Sequence, residues 1–331
     1  MSDLTFGFND PRYAEFPPVV QIALVSGVCP SQCRHCPMGR KNAGELAADL
    51  AAELRPGFFD FGLFRRVVHE MAQYPWAILR LHSRGEPMCH PHYADMLGYA
   101  KAHGVGTLTS FTNGIYLDEH RDAVLDAPMD LLEISADAPD PETYLAWRRT
   151  DNFRRIHAAV TDLYHARNDR PDSPTRLVIS AVDHPDFRPH REAFFDRWTP
   201  IADKVIVRPY HTYAGRLEDP YAGEHRASDY LPCVQLWERF SINTWGQVNA
   251  CFNDWGDAEL VGDLNEPGST IKTIWRAAAF ENIRAETLKG PHLRCCQTCS
   301  GPSLSSWGSG GYQHWVRELL QQPPAKTGEA P

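Results

Sequence analysis

The sequence predicts an α/β fold, a partial (β/α)6 TIM barrel with a small C-terminal domain, and three observations carry that prediction. Short apolar runs rich in β-branched residues alternate with helix-period segments, the pattern of βαβ units around a parallel sheet. Six such repeats are present, fewer than a closed eight-stranded barrel needs, so the barrel is expected to stay open. Beyond about Tyr210 the rhythm changes, and Pro, Gly, aromatic residues and five of the nine cysteines gather in a different kind of segment.

Taken in chain order, the predicted barrel strands are 20–26, 77–82, 105–111, 131–136, 176–182 and 204–208. The helical patterns between them cover 58–73, 92–103, 118–125, 153–165 and 189–198. In the C-terminal part, strands 240–243 and 247–250 flank Gly246 as a hairpin does, and helices follow at 269–278 and 280–288. The resulting division is an N-terminal extension (1–17), the partial barrel (18–210), the cysteine-rich domain (211–320) and a tail (321–331) whose QQPPAKTGEAP composition reads as disordered.

Bulk properties exclude several classes. A formal net charge of −9 argues against a nucleic-acid partner held through phosphates. No apolar run reaches membrane-spanning length, and the first residues lack a basic segment followed by an apolar one, so a cytoplasmic protein with no membrane partner is expected. Nine cysteines would suit a secreted disulfide scaffold only in a much shorter chain, and here they fall mainly into two clusters with metal-type spacings, which points to metal ligation in a reducing compartment.

Cys29, Cys33 and Cys36 form a C-x3-C-x2-C triplet immediately after the first predicted strand, at the end of the barrel where such folds place their chemistry. Three thiolates hold a 4Fe–4S cluster and leave one iron without a protein ligand, open to a chelating cofactor. The competing reading is zinc, which usually takes paired C-x2-C elements, and the triplet has no nearby fourth cysteine.

The triplet resembles that of the radical S-adenosylmethionine (SAM) superfamily, and the resemblance extends over about residues 18–210. It implies a SAM-binding 4Fe–4S cluster that yields a 5′-deoxyadenosyl radical on receiving an electron from a flavodoxin- or ferredoxin-type reductant. His35 stands where the family usually has an aromatic residue against the adenine. Arg84-Gly85-Glu86-Pro87 follows the second strand and looks like the family's G-G-E-P motif, with Arg84 in place of the first Gly; the motif implies that Gly85, Glu86 and Pro87 meet the methionyl amine. By placement, Ser110, Thr112 and Asn113 at the end of the third strand, and Ser135 and Asp137 at the end of the fourth, match positions of the family that meet SAM, with Arg148 a partner for the SAM carboxylate.

Cys233, Gly246, Cys251 and the pair Cys296/Cys299 reproduce a C-x12-G-x4-C pattern followed by a distant C-x2-C. This resembles the first part of the SPASM module that carries auxiliary clusters. No cysteine follows Cys299, so the likeness is to the truncated form called a twitch domain, which implies a single auxiliary 4Fe–4S cluster saturated by four thiolates and suited to electron transfer. Zinc held by the same thiolates is the alternative. Cys295 and Cys89 are left over, and a thiol beside a radical site can donate a hydrogen atom.

One cluster to make a radical and a second to collect an electron reads as dehydrogenation: a carbon radical beside a hydroxyl loses a proton, becomes a strong reductant and passes its electron on. The layout is similar to the radical SAM enzymes of aminoglycoside and aminocyclitol biosynthesis, which implies a small carbohydrate substrate oxidised from alcohol to ketone. Glu133, Asp137 and Asp183 are candidates to hold its ammonium groups, and Arg208, Tyr210 and His211, at the end of the sixth strand, to orient the reacting hydroxyl or accept its proton. Two alternatives stay open: an epimerase with Cys295 as hydrogen donor, and a peptide-modifying enzyme, which usually carries a leader-binding domain longer than the 28 residues preceding Cys29.

Overall fold

The computed structural model describes residues 6–170, 172–221, 232–297, 299, 307 and 311–325. The elements in chain order are α1 (Pro11–Glu15), β1 (Val19–Ile22), β2 (Val25–Ser26), α2 (Pro37–Asn42), α3 (Ala48–Glu53), β3 (Gly57–Phe58), α4 (Phe61–Met71), β4 (Ile78–Leu81), α5 (Tyr93–Ala102) and β5 (Thr107–Thr112). They continue with α6 (Leu117–Asp126), β6 (Leu131–Ser135), α7 (Pro141–Arg148), α8 (Phe153–Asn168), β7 (Arg176–Val182), α9 (Arg191–Trp198) and β8 (Lys204–Arg208). The C-terminal part holds α10 (Gln235–Glu238), β9 (Arg239–Ile242), β10 (Gln247–Asn249), β11 (Leu260–Asp263), α11 (Ile271–Trp275), α12 (Ala278–Thr287) and α13 (Gly311–Gln321).

All six predicted barrel strands form, and they pair in parallel in the order β1-β4-β5-β6-β7-β8, the partial barrel expected of six βα repeats. The first of them is interrupted: the β1 ladder ends with the Ala23 N–H donating to the Ile242 carbonyl, and Val25–Ser26 leaves to pair with β3 in a separate two-stranded ribbon. That departure throws the cysteine loop over the mouth.

The C-terminal part joins the same sheet. Asn243 to Gly246 make the predicted hairpin turn, with Gly246 at φ +84°, a left-handed conformation that glycine adopts without strain. β9 then lies parallel to β1, Val19 opposite Arg239 and Gln21 opposite Ser241, so the barrel sheet gains a seventh parallel strand before β10 and β11 run antiparallel at its edge. Sequence periodicity identified these strands; it carried no information about the long-range partner.

Alternation along the strands sorts the two faces. Val20, Leu79, Leu108, Leu132, Ile134, Leu177 and Ile179 pack outward against the helices in the main core. Val19, Ile78, Phe111, Leu131 and Val178 point the other way, into the bore, where Tyr312, Val316 and Leu319 of α13 cover them. The C-terminal helix therefore fills part of the barrel interior, with the Tyr312 hydroxyl donating to Thr109 Oγ1 at 3.1 Å. The chain immediately after it is also held. Gln322 and Ala325 offer carbonyls to Arg176 and Arg167, and the Ala325 N–H donates to Asp203 at 2.6 Å. The expected disorder therefore does not begin at residue 321; residues 326–331 lie outside the described residues. Among the described residues no helix is long and apolar enough to cross a membrane.

Candidate active site

The Cys29–Cys36 loop is fastened from three directions. The Asn42 side-chain amide donates to the carbonyls of Cys29 and Ser31 at 2.8 and 2.9 Å. Backbone N–H groups of Gln32 and Arg34 donate to the carbonyls of Arg148 and Trp147 at the end of α7. Helix α2 then packs so tightly against the loop that a Cβ on Gly39 would overlap the Cys33 backbone. Cys36 is the residue preceding α2, so the N–H groups of Met38 and Gly39 are directed at its sulfur and oppose the rise in its pKa. Burial, with Cys33 beside it, nevertheless pushes the Cys36 thiol up to about 11, and burial also raises Cys29 and Cys33. Asn113 donates its amide to Cys29 Sγ at 3.6 Å. Three thiols without disulfide partners, close enough to perturb one another and supplied with N–H donors, fit a cluster-bearing loop. Met38, Leu54 and Trp255 form an apolar shell against this loop together with Tyr213, which sequence reasoning missed because its hydrophobic partner comes from the C-terminal part.

The Arg84–Pro87 loop lies beside it. A Cβ on Gly85 would stand 2.7 Å from the Val28 carbonyl, so only glycine allows the approach, and the Glu86 N–H donates to that same carbonyl. Glu86 is buried, and its carboxylate accepts from Thr112 Oγ1 (2.7 Å), the Asn113 N–H (2.8 Å) and the Met88 N–H (3.1 Å). Burial raises its pKa while those donors oppose the rise. Thr112, at the end of the third predicted strand, thus fixes the motif carboxylate. Arg84 adopts φ +41° and reaches away into the C-terminal part, where its guanidinium donates to Asn249 Oδ1 (3.2 Å), the Asp254 carbonyl (2.8 Å) and Asp257 Oδ1 (2.5 Å).

Of the remaining cofactor candidates, four share one corner. Asp137, at φ +57°, follows Ser135 at the end of β6 and accepts from the Val182 N–H at 2.8 Å. Arg148 pairs with Asp137 at 2.5 Å, both buried, and His35 Nε2 lies 3.4 Å from the same carboxylate oxygen. The His35 ring stacks on Trp147 with centroids 5.3 Å apart and planes 16° from parallel, giving the flat aromatic surface expected near an adenine. Arg148 is therefore spoken for by Asp137, in contrast to the expectation that its charge is free for a SAM carboxylate; its Nε and His35 Nδ1 are buried and unpartnered. Ser110 departs from expectation outright. It faces the helices, accepts from the Tyr93 hydroxyl at 3.0 Å and donates to the Leu81 carbonyl at 3.3 Å, so it belongs to the strand–helix packing.

The strand-end group divides as well. Arg208 points into the bore and forms a bidentate pair with Glu133 (3.1 and 2.6 Å) over the Trp315 ring. Asp183 pairs with Arg188 at 3.4 Å. All three carboxylates proposed to hold ammonium groups therefore have cationic partners. Tyr210 turns toward His184 and Cys36, and burial raises its phenol to about 12. His211 is held down to about 4 by burial and by Arg239, Arg208 and Arg80. Its folded pKa lies below the unfolded value, so its stabilising contribution is complete above about pH 6.5 and is lost as pH falls toward 4. Urea unfolding of His211→Gln should show a shallower loss of stability than the native chain over that window, by at most about 3 kcal/mol; parallel pH profiles for the two proteins would refute the assignment.

The second cysteine set surrounds the hairpin. Cys233 precedes α10 and Cys251 follows β10; burial, with Cys251, Cys299 and Cys296 nearby, pushes the Cys233 thiol up to about 12. Cys295 is buried among Leu236, Trp237, Ala250 and Leu293, with Cys251 and Cys296 packed against the same cluster. It is thus part of this thiol group, not a donor facing the bore, which removes the geometric basis for Cys295 as a hydrogen source to substrate. Among the described residues no three His, Cys, Asp or Glu side chains are gathered as a single-ion site.

Comparison with known proteins places these features. Residues 24–184 match the radical SAM superfamily model, and residues 233–300 match the SPASM iron–sulfur cluster-binding domain model. A GTP 3′,8-cyclase of Chlorobaculum tepidum is 35% identical over 80 residues, 24% of each chain. A probable GTP 3′,8-cyclase of Methanothermobacter thermautotrophicus is 25% identical over 170 residues, 50% of this chain and 51% of that one. The chain thus spans a quarter to about half the length of these relatives. Among solved structures, BtrN in complex with AdoMet and 2-DOIA aligns with a TM-score of 0.57 at 14% identity, covering 89% of this chain and 97% of that one. SuiB of Streptococcus suis bound to precursor peptide SuiA aligns at 0.62 with 13% identity, covering 92% and 73%. Native anSMEcpe with bound AdoMet aligns at 0.59 with 12% identity, covering 91% and 95%. At such identities the structural likeness speaks for the fold, while the two domain models, spanning both cysteine sets, decide iron–sulfur over zinc: the chain is a member of the radical SAM superfamily with a C-terminal SPASM-type iron–sulfur domain.

Proposed function

We propose that this protein is a radical SAM oxidoreductase that oxidises a hydroxyl-bearing carbon of a small carbohydrate-type substrate to a ketone. Cys29, Cys33 and Cys36 hold the SAM-binding 4Fe–4S cluster, and Cys233, Cys251, Cys296 and Cys299 an auxiliary one. When bound, the first cluster with SAM supplies a hydrogen-abstracting radical and the second a one-electron acceptor. The observation that carries the reading is the joining of the two cysteine sets in one sheet. β9, beside Cys233, is hydrogen-bonded to β1, which leads into the triplet, and Arg84 of the SAM-motif loop grips the segment after Cys251.

The chain's own residues have distinct tasks in this reading. His35 and Trp147 offer a stacking surface, and Glu86, held by Thr112 and Asn113, offers a fixed carboxylate to the methionyl amine. His211, neutral near pH 7, is able to accept a proton from a substrate hydroxyl in the bore, whereas Tyr210 is protonated there and Arg208 is committed to Glu133. A flavodoxin- or ferredoxin-type protein in the cytoplasm is the proposed reductant.

The test is anaerobic. Reconstituted protein should contain about eight irons per chain, release 5′-deoxyadenosine on reduction with SAM, and form ketone with a responsive polyhydroxylated substrate in deuterated water. An iron content near four would remove the auxiliary cluster from the reading. Solvent deuterium fixed at carbon without net oxidation would replace dehydrogenation by epimerisation.

A further inference from the structure

The bore carries more positive charge than its own side chains neutralise. Arg80 of β4 and Arg239 of β9 stand on the two strands that flank β1, so their backbones are roughly 10 Å apart, two strand spacings. Both side chains point inward with Gln21: Arg80 is in register with it, and Arg239 donates to its Oε1 at 3.2 Å. They are 7% and 4% exposed, and among the described residues neither has a carboxylate within direct ion-pair distance, the buried Glu238 acting on both only through space. The Arg80 guanidinium instead lies against the rings of Phe111 (4.1 Å) and Tyr312 (4.3 Å), while that of Arg239 lies over Phe252 at 4.6 Å. Cation–π contacts of this kind hold a guanidinium in place without cancelling its charge.

Among the described residues, two carboxylates face three guanidinium groups here. Glu133 gives both oxygens to Arg208, while Glu238 accepts the Gln313 N–H at the start of α13 with one oxygen and keeps the other buried without a hydrogen-bond partner. Glu238 lies within the field of Arg239 and Arg80 without a direct ion pair to either, and one positive charge is left over. Nε of Arg80, Nε of Arg239 and Nδ1 of His82, which follows β4 on the same face, are buried donors or acceptors with no partner. A buried cation without a direct ion pair or full hydrogen bonding is costly to keep, and such groups cluster at sites where a ligand completes them. Access exists: His82 and His211 are only half-buried, and the Arg208 side chain is 34% exposed.

We infer that Arg80 and Arg239, with His82 between them and the mouth, form an anion subsite that takes a carboxylate or phosphate group of the substrate. The substrate is accordingly an acid, such as a sugar acid or a sugar or nucleoside phosphate, and not an amine. The inference rests on the proposed reading in taking the bore as the substrate site. It also accounts for the ion-pairing of Glu133, Asp137 and Asp183, which leaves no free carboxylate among those three for an ammonium group.

The test is binding to the reconstituted full-length protein without reductant, so that its outcome is independent of radical chemistry. Calorimetric titration with inorganic phosphate and with citrate should show one saturable site for at least one of them, and none for the diamine putrescine. Arg80→Gln and Arg239→Gln should each weaken that site at least tenfold, Arg239→Lys should retain most of it, and Arg155→Gln, a surface control paired with Asp118, should not change it. Near-UV circular dichroism would establish that each variant is folded. The inference is overturned if the native protein binds neither anion, if both glutamine variants bind as the native protein does, or if SAM displaces the bound anion. Release of 5′-deoxyadenosine by the same preparation reports separately on the radical reading.

Discussion

Cys33→Ala should lower 5′-deoxyadenosine formation by at least about a thousandfold, because it removes one of only three thiolates available to the proposed SAM-binding cluster. Cys33 is the most enclosed of the triplet, lying where Gly39 of α2 meets the loop. The auxiliary set sits around the β9–β10 hairpin and is untouched, so iron should fall from about eight to about four per chain and not to zero. The polypeptide itself should survive. Without metal, a buried Cys→Ala change costs on the order of 1 kcal/mol, which a thermal melt of the apo protein would register as a small shift. Retention of activity or of all the iron by Cys33→Ala would show that the triplet does not hold the radical-generating cluster.

Much of this arrangement was legible before any coordinates. Arg176–Val182 and Lys204–Arg208 form as strands at their predicted limits, because β-branched runs bounded by turn residues leave few alternatives. The cysteine triplet and the G-E-P turn were legible from spacing, since a cluster loop and a close backbone approach constrain residue type directly. Partners set by distant contacts were less accessible. Tyr312, Val316 and Leu319 of α13 have helical spacing, but nothing local indicates that they fill the barrel bore. Helix α7 had a start signal in Asp140-Pro141, with Asp140 capping the Thr143 N–H at 2.8 Å, and its value lies in delivering Trp147 and Arg148 to the cysteine loop. Charged residues were the hardest to interpret. Glu133, Asp137 and Arg148 look equally available in a sequence, and only the fold reveals which cation each carboxylate meets. That pairing leaves Glu133, Asp137 and Asp183 each with a cation, and leaves Arg80 and Arg239 without a direct ion pair among the described residues.

Arg84→Gly would restore the family's usual motif and should nonetheless destabilise this protein by about 2–4 kcal/mol. Two effects oppose. The backbone at Arg84 is left-handed, φ +41°, a conformation that costs a non-glycine residue roughly 1 kcal/mol, so glycine is favoured locally. Against that, the substitution removes a buried guanidinium that joins the SAM-motif loop to Asn249, Asp254 and Asp257, and leaves Asp257, 19% exposed, without its cation. Breaking a buried pair in this way typically costs about 3–5 kcal/mol, which outweighs the backbone gain. Burial alone would raise the Asp257 pKa, yet the hydrogen bond and charge of Arg84 bring it below its ordinary value. The pair's contribution is therefore present above about pH 4 and fades as the carboxylate is protonated at lower pH. A double-mutant cycle of Arg84→Gly with Asp257→Asn, followed by urea unfolding at pH 7, should give a coupling of at least about 1.5 kcal/mol. Arg84→Lys should recover part of the charge interaction but not all three contacts. The functional consequence follows from where the contacts lie. Asn249 and Asp254 bracket Cys251, so losing the bridge loosens the proposed auxiliary-cluster loop relative to the SAM-motif loop. Arg84→Gly should then release 5′-deoxyadenosine in excess of oxidised product, the mark of hydrogen abstraction separated from electron removal. Additive single-mutant losses, with product and 5′-deoxyadenosine still matched, would mean that the two halves of the site are held together elsewhere, along the β1–β9 pairing itself.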